Sequence, residues 1–253
     1  MIPVSEVEAL FHGLADSGGT SLDVARDLDP YLQGVKLYPF APILSLGNEI
    51  GTILEQKPQA AIEIVLRMVG SNLAATRALA CVLLSRLARY GPAPWMKLAH
   101  HLAADDNWEV REYAAHIFDT HGDFEGLAAF HPDYCFEVLT QWVQDEDYRV
   151  RRATTNALLG YYLKHPEIGP RLLSLLEPLL KDSSDYVRRN LVFALRTIGK
   201  KRPELVLTFI ETHIENSRET VRDIFHQTLT HRWTRGYESS RDALLKRLRP
   251  SSS

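Results

Sequence analysis

Asp105-Asp106-Asn107-Trp108-Glu109-Val110-Arg111, Asp145-Glu146-Asp147-Tyr148-Arg149-Val150-Arg151 and Asp182-Ser183-Ser184-Asp185-Tyr186-Val187-Arg188 carry one pattern three times: an acidic turn, an aromatic residue, then Val-Arg. Asn216-Ser217-Arg218-Glu219-Thr220-Val221-Arg222 keeps the Val-Arg without the aromatic, and Ala75-Thr76-Arg77 is a degraded earlier copy. The copies recur every ~34 to 40 residues, the lower edge of the range for helix-pair repeats. Upstream of each acidic turn lies a second apolar segment: Pro92 to Ala104, Pro132 to Gln144, Pro166 to Lys181 and Pro203 to Glu215. Two helices per repeat with short connections lie antiparallel and stack on the next pair.

Segments between the turns repeat their apolar residues at helical spacing, as in Leu73, Ala74, Ala78, Cys81, Leu84, Leu87 and Ala88, and none reads as a strand. Pro58, Pro92, Pro132, Pro166 and Pro203 mark helix starts, where a missing N–H costs nothing. Gly70, Gly91, Gly122, Gly160 and Gly199 fall near helix ends, where positive φ is useful. The predicted fold class is all-α, an α-solenoid of antiparallel HEAT-like helix pairs with a concave groove. It forms a single domain over 1–253: an N-terminal helical cap at 1–57, repeats at 58–235, and a C-terminal helix and tail at 236–253. Within the repeats, the turn Asp is expected to cap the second helix or pair with a neighbouring Arg, and the Val to be core. Arg111, Arg151, Arg188 and Arg222 are thus assigned to the scaffold.

The chain has 253 residues, 45% of them hydrophobic, with a net charge of -3. It lacks a basic n-region before an apolar core at its start and any apolar run of membrane-spanning length, which predicts a soluble, cytoplasmic protein. Cys81 and Cys135 sit inside helical patterns, arguing against a disulfide framework and a Cys-based zinc site. Charge is uneven: acids outnumber bases roughly three to one over residues 1–66, and bases outnumber acids about two to one over 146–202. A polyanion is therefore an admissible partner for one part of an acidic chain.

No metal-ligand, phosphate-loop or nucleophile-elbow motif is present, and His100, His101, His116, His121 and His131 are not spaced as a ligand set, so no metal or cofactor is predicted. Trp108 and Glu112 are four residues apart and share a helix face. The pair suits a pocket in which an indole bounds a ring or sugar while a carboxylate stabilises a developing cation or activates water. It equally suits a scaffold in which the indole packs between repeats and Glu112 pairs with an arginine such as Arg152. Arg152 and Arg189 follow the scaffold arginines by one position, about 100° round the helix. With Lys164, Arg171, Lys200, Lys201 and Arg202 they form a candidate phosphate-tracking stripe, to which Tyr161, Tyr162 and Trp233, with Arg232 and Arg235, would add aromatic and basic surface. Solvated helix ends are the alternative reading.

At these residues the chain resembles the HEAT-like-repeat alkylpurine DNA glycosylases of the AlkC and AlkD type, and in pattern looks closer to the AlkC branch. The resemblance runs from about Leu46 to His231 and is carried by the nine residues starting at Asn107, by Val-Arg-Arg-Ala starting at Val150, and by Asp-Tyr-Val-Arg-Arg starting at Asp185. It implies a solenoid holding duplex DNA, alkylated or not, and metal-free hydrolysis of the N-glycosidic bond of a cationic alkylated purine. By position Trp108 looks like the family aromatic beside the damaged nucleotide, Glu112 like its carboxylate, and Arg152 like an arginine contacting DNA near the lesion. Two positions depart: Thr197 stands where the AlkC branch has a second catalytic Asp, and Tyr161 where it has Trp. A noncatalytic HEAT scaffold binding a protein partner or undamaged DNA is the other function class consistent with these residues.

Overall fold

Each acidic turn closes into the same hydrogen-bonded clasp. The first Asp accepts the amide two residues on: Asp105 from Asn107 at 2.8 Å, Asp145 from Asp147 at 2.8 Å, and Asp182 from Ser184 at 2.7 Å. Six residues after each Asp, an arginine donates Nη1 back to two turn carbonyls. Arg111 reaches Asp105 and Asp106 (2.6 and 3.0 Å), Arg151 reaches Asp145 and Glu146 (2.8 and 2.9 Å), and Arg188 reaches Asp182 and Ser183 (both 2.8 Å). The arginine of one repeat also grips the Asp of the next in a two-pronged ion pair: Arg77 on Asp105 (2.6 and 3.0 Å) and Arg151 on Asp182 (2.6 and 3.1 Å). The degraded copy clasps too, with Ser71 in place of Asp: its hydroxyl accepts the Leu73 amide, and Arg77 donates to the Ser71 carbonyl at 2.8 Å. Val110, Val150, Val187 and Val221 are buried beneath the turns.

The computed structural model describes residues 2–20, 22–121, 124–215 and 217–248. Gly122, Asn216 of the fourth repeat copy and residues 249–253 of the expected tail lie outside them. The described residues group into two compact units, Met1–Cys135 and Phe136–Ser253. The first holds α1 (Val4–Asp16), α2 (Val24–Asp27), α3 (Asp29–Leu32), α4 (Ala41–Leu54), α5 (Pro58–Val69), α6 (Ala74–Ala88), α7 (Met96–Ala103) and α8 (Trp108–His116). Next in sequence, α9 (Pro132–Trp142) contributes residues to both units. The second unit continues with α10 (Tyr148–Asn156), α11 (Leu159–Lys164), α12 (Gly169–Leu176), α13 (Asp185–Lys201), α14 (Pro203–His213), α15 (Glu219–Leu229) and α16 (Glu238–Leu248). In the first unit α6 packs against α4, α5, α7 and α8, and its buried residues run round the whole helix, as a central helix requires. In the second, α13 packs against α10, α11, α14 and α15 and keeps one stripe in water. Among the described residues, no helix is long and apolar enough to cross a membrane.

Several local expectations change. A two-stranded antiparallel hairpin, β1 (Thr120–His121) with β2 (Phe124–Glu125), follows α8, where no strand is expected; two residues per strand are too few to show a period of two. Proline does open α5, α9 and α14, but Pro92 precedes a 3-10 turn and Pro166 opens one. The single helix expected up to Lys181 gives way after Leu176 to a 3-10 stretch containing Pro178, which cannot donate to the α-helical ladder. Among the described glycines, positive φ belongs to Gly18, Gly19, Gly34 and Gly236, not to Gly70, Gly91, Gly160 or Gly199. Gly70 is right-handed at φ -81, and Gly199 lies inside α13, where a Cβ would stand 2.7 Å from the Trp233 ring. Close approach, rather than a turn, calls for glycine at 199.

Two measurements test the packing. Replacing Arg151 with Met strips the counter-charge from Asp182, whose side chain is only 3% exposed. The unfolding free energy from urea titration should fall by about 2 to 4 kcal/mol, and a change below about 0.5 kcal/mol would make the clasp ornamental. Burial pushes the Cys135 thiol up to about 12 and holds Cys81 well above its ordinary value. At pH 8 neither thiol should react with a disulfide reagent until the chain is denatured; rapid labelling of the native protein would contradict this core.

Candidate nucleic-acid interface

The start of α8 is fixed from three sides. Asn107 caps it, its side-chain oxygen accepting from the Glu109 and Val110 amides at 2.8 and 3.2 Å, while Asp105 holds the Asn107 amide and Arg111 holds the turn carbonyls. Trp108 is the first helical residue and stays 54% exposed, so it is not an indole packed between repeats. Glu112 lies one turn later on the same face and is half-buried. The next residue, Tyr113, is buried and donates its hydroxyl to the carbonyls of Leu37 (2.9 Å) and Phe40 (3.3 Å), and burial raises its phenol above the ordinary value. Phe40 sets a ring edge against both Tyr113 and His116, each with centroids 4.9 Å apart, and Tyr38 stands 5.7 Å from Phe40, 65% exposed. The face of α8 carrying Glu112 is thus flanked by an anchored aromatic segment from the N-terminal cap.

In the second unit the candidate residues divide. Arg152 is 5% exposed and lies with its guanidinium 5.3 Å over the Tyr186 ring, which also meets the edge of exposed Tyr148 at 6.2 Å. Arg189 is exposed and ion-paired to Asp185 one turn earlier. Thr197 is buried, its hydroxyl donating to the Phe193 carbonyl at 3.0 Å. Lys200 and Lys201 are exposed at the end of α13; Arg202 is half-buried and pairs with Glu204. Lys164, Arg171, Arg232 and Arg235 are exposed, Arg171 lying 3.9 Å over the Phe136 ring.

The aromatic surface expected from Tyr161, Tyr162 and Trp233 does not exist. Tyr161 is buried and stacked on His165 at 4.4 Å. Tyr162 is fully buried, donates to the Ile198 carbonyl at 3.0 Å, and is pushed up to about 12 by that burial. Trp233 lies on Gly199 and donates Nε1 to the Thr228 carbonyl at 2.9 Å. Among the described residues of the second unit, the exposed aromatics are instead Tyr237, just before the last helix, and the pair Tyr148 and Phe193. The signal of that pair was in the register: Tyr148 precedes Arg152 by one turn and Phe193 follows Arg189 by one turn, as Trp108 and His116 flank Glu112. Among the described residues, no three His, Cys, Asp or Glu side chains gather as a metal-ligand set.

Residues 48–223 match the sequence model of a family described as DNA alkylation repair enzyme. The chain belongs to this family. The matched span contains the α8 pair, the α10 and α13 cations and Phe193. In fold the family member is similar to AlkD2 from Streptococcus mutans, with a TM-score of 0.65 over 82% of this chain and 96% of that one, at 19% identity. It is also similar to smu.31 from Streptococcus mutans UA159, with a TM-score of 0.54 over 74% and 96%, again at 19% identity. No curated protein matches it.

The cap that fixes the α8 face can be tested alone. Asn107→Ala should cost about 1 kcal/mol of stability in a denaturant titration, and Asn107→Asp only a few tenths, because the carboxylate can accept the same amides. Equal losses would mean the cap bonds do not hold the helix start.

Proposed function

We propose that this member of the DNA alkylation repair family binds duplex DNA and hydrolyses the N-glycosidic bond of cationic alkylated purines, with Trp108 and Glu112 at the reacting nucleotide. The observation that carries the reading is an exposed indole one helical turn from a half-buried carboxylate, on a helix start fixed by its cap. An electron-rich indole face attracts a positively charged base more than its neutral counterpart, which selects the lesion by its charge. That base leaves as a neutral molecule, so the protein need not protonate it. The charge moves to the sugar as the bond lengthens, and Glu112 would stabilise the oxocarbenium-like centre and orient the attacking water. Arg189, Lys200, Lys201 and Arg202 are the proposed backbone contacts, in a cytoplasmic protein without a metal or cofactor, and Arg152, buried over the Tyr186 ring, would act by holding that ring in place rather than by reaching a phosphate.

The sequence pattern favours the AlkC branch. Where that pattern has a second carboxylate this chain has Thr197, whose hydroxyl is buried and bonded within its own helix, so excision would rest on Glu112. The same observation favours a second reading, DNA binding without excision.

The test is release of free base from duplex DNA carrying N7-methylguanine. Wild type should release base, and Glu112→Gln should be slower by at least about 100-fold with DNA affinity within about twofold. Binding without release by wild type would leave only the second reading, and affinity that is negligible or insensitive to salt would favour a protein-binding scaffold.

A further inference from the structure

The clasp that joins one repeat to the next stays open at the last copy. Arg77 and Arg151 each close their own turn and offer the remaining edge of the guanidinium to the Asp of the turn that follows. Arg222 holds the same place in the fourth copy. It donates Nε to the Ser217 carbonyl at 3.1 Å, and among the described residues it forms no ion pair. Helix α16 packs on α14 as α14 packs on α12, the position of the first helix of a further repeat, and Arg247 fastens it to Glu211 and Glu215 at 3.3 and 2.6 Å. It brings no carboxylate to Arg222. Between α15 and α16 a pocket of 650 Å³ remains, lined by Arg222, Glu219, Asp223, His226, Leu245 and Leu248. A terminal repeat needs a polar outer face to stay in solution, but that need is met by charges spread in water and does not call for a concavity with two leucines beside an arginine.

We propose that this pocket is a docking site for an aspartate-bearing turn of a partner protein, its carboxylate taken by the Arg222 fork and an adjacent apolar side chain lying on Leu245 and Leu248. The occupant follows from the two closed clasps, where the same arginine position takes a turn Asp with two N–H groups. On docking, Nη1 replaces Nε at the turn carbonyl, the arrangement Arg151 already has, and Nε and Nη2 are freed for the carboxylate. The acids in the pocket do not forbid this. Arg151 stands among Asp145, Glu146 and Asp147 and still takes Asp182, and Asp223 is engaged by Gln227, whose Nε2 donates to it at 2.7 Å. The same acids disfavour a nucleic acid, since a run of phosphates would lie against exposed Glu211, Glu215, Glu219 and Asp223. A turn Asp brings a single charge to a single fork. The site is independent of the DNA reading of the other residues.

The probe is a labelled peptide of residues 177–188, the protein's own turn with Leu179 and Leu180 ahead of Asp182, titrated with the full chain and read by fluorescence anisotropy. Wild type should bind it saturably. Asp182→Asn in the peptide should weaken binding roughly 10-fold, and because the protein is untouched, misfolding cannot produce that loss. Arg222→Gln in the protein should weaken binding by a similar factor, and the two changes together should cost no more than either alone. Arg222→Lys should stay weak, because one ammonium cannot serve carbonyl and carboxylate in the same fork geometry. No saturable binding by wild type would overturn the site, as would an affinity that Arg222→Gln leaves unchanged. Displacement of the bound peptide by a short undamaged duplex would give the pocket to DNA and overturn the protein occupant.

Discussion

An arginine that serves two repeats at once is the interaction on which the rest of this chain depends. Arg151 closes its own turn by donating to the carbonyls of Asp145 and Glu146, and with its remaining N–H groups takes the carboxylate of Asp182 from the turn that follows. Arg77 does the same between Ser71 and Asp105. A guanidinium is suited to this because its planar fork presents several donors in fixed directions, and a lysine in its place could not reach both partners. The valine before it is driven into the core, so polar and apolar halves of the turn specify the same orientation of the second helix. Agreement between those two levels gives each repeat one register.

That agreement is also why the fold was legible. Asp, Val and Arg recur at spacings no other common element would produce, and their roles in the clasp follow from chemistry alone. Legibility failed where residue type does not distinguish surface from core. Tyr161, Tyr162 and Trp233 look as available in the sequence as Trp108 and Tyr148, yet three are core and two are exposed, the difference being which 100° step of a helix each occupies. Arg152 was expected at the surface and is buried over Tyr186, since a flat cation can be accommodated against a ring. The short hairpin after α8 and the break at Pro178 were too local for periodicity to register. At the candidate site, the pairing of Trp108 with Glu112 on one face was readable, while the flanking segment from Leu37 to Phe40 depends on the buried Tyr113 hydroxyl some seventy residues away.

The position one step past the clasp arginine is occupied in turn by Glu112, Arg152, Arg189 and Asp223. Four occupants of differing charge at one structural address mean that the scaffold places no demand on it. Stability is delegated to Asp, Val and Arg, and the adjacent position is left open for chemistry. Trp108 and Tyr148 lie one helical turn before that address and Phe193 one turn after it, and each is in contact with water.

The clasp is invariant in length and the rest of the repeat is not. Six residues separate Asp from Arg in each complete copy, whereas Asp105 and Asp145 are 40 apart and Asp145 and Asp182 are 37 apart. Insertions and deletions are therefore absorbed by the first helix and its loops, as the hairpin after α8 and the 3-10 stretches before Asp182 illustrate. Each repeat consists of a rigid buckle and an adjustable strap, and over evolutionary time this chain can lengthen or shorten the strap without shifting the residues that the buckle presents.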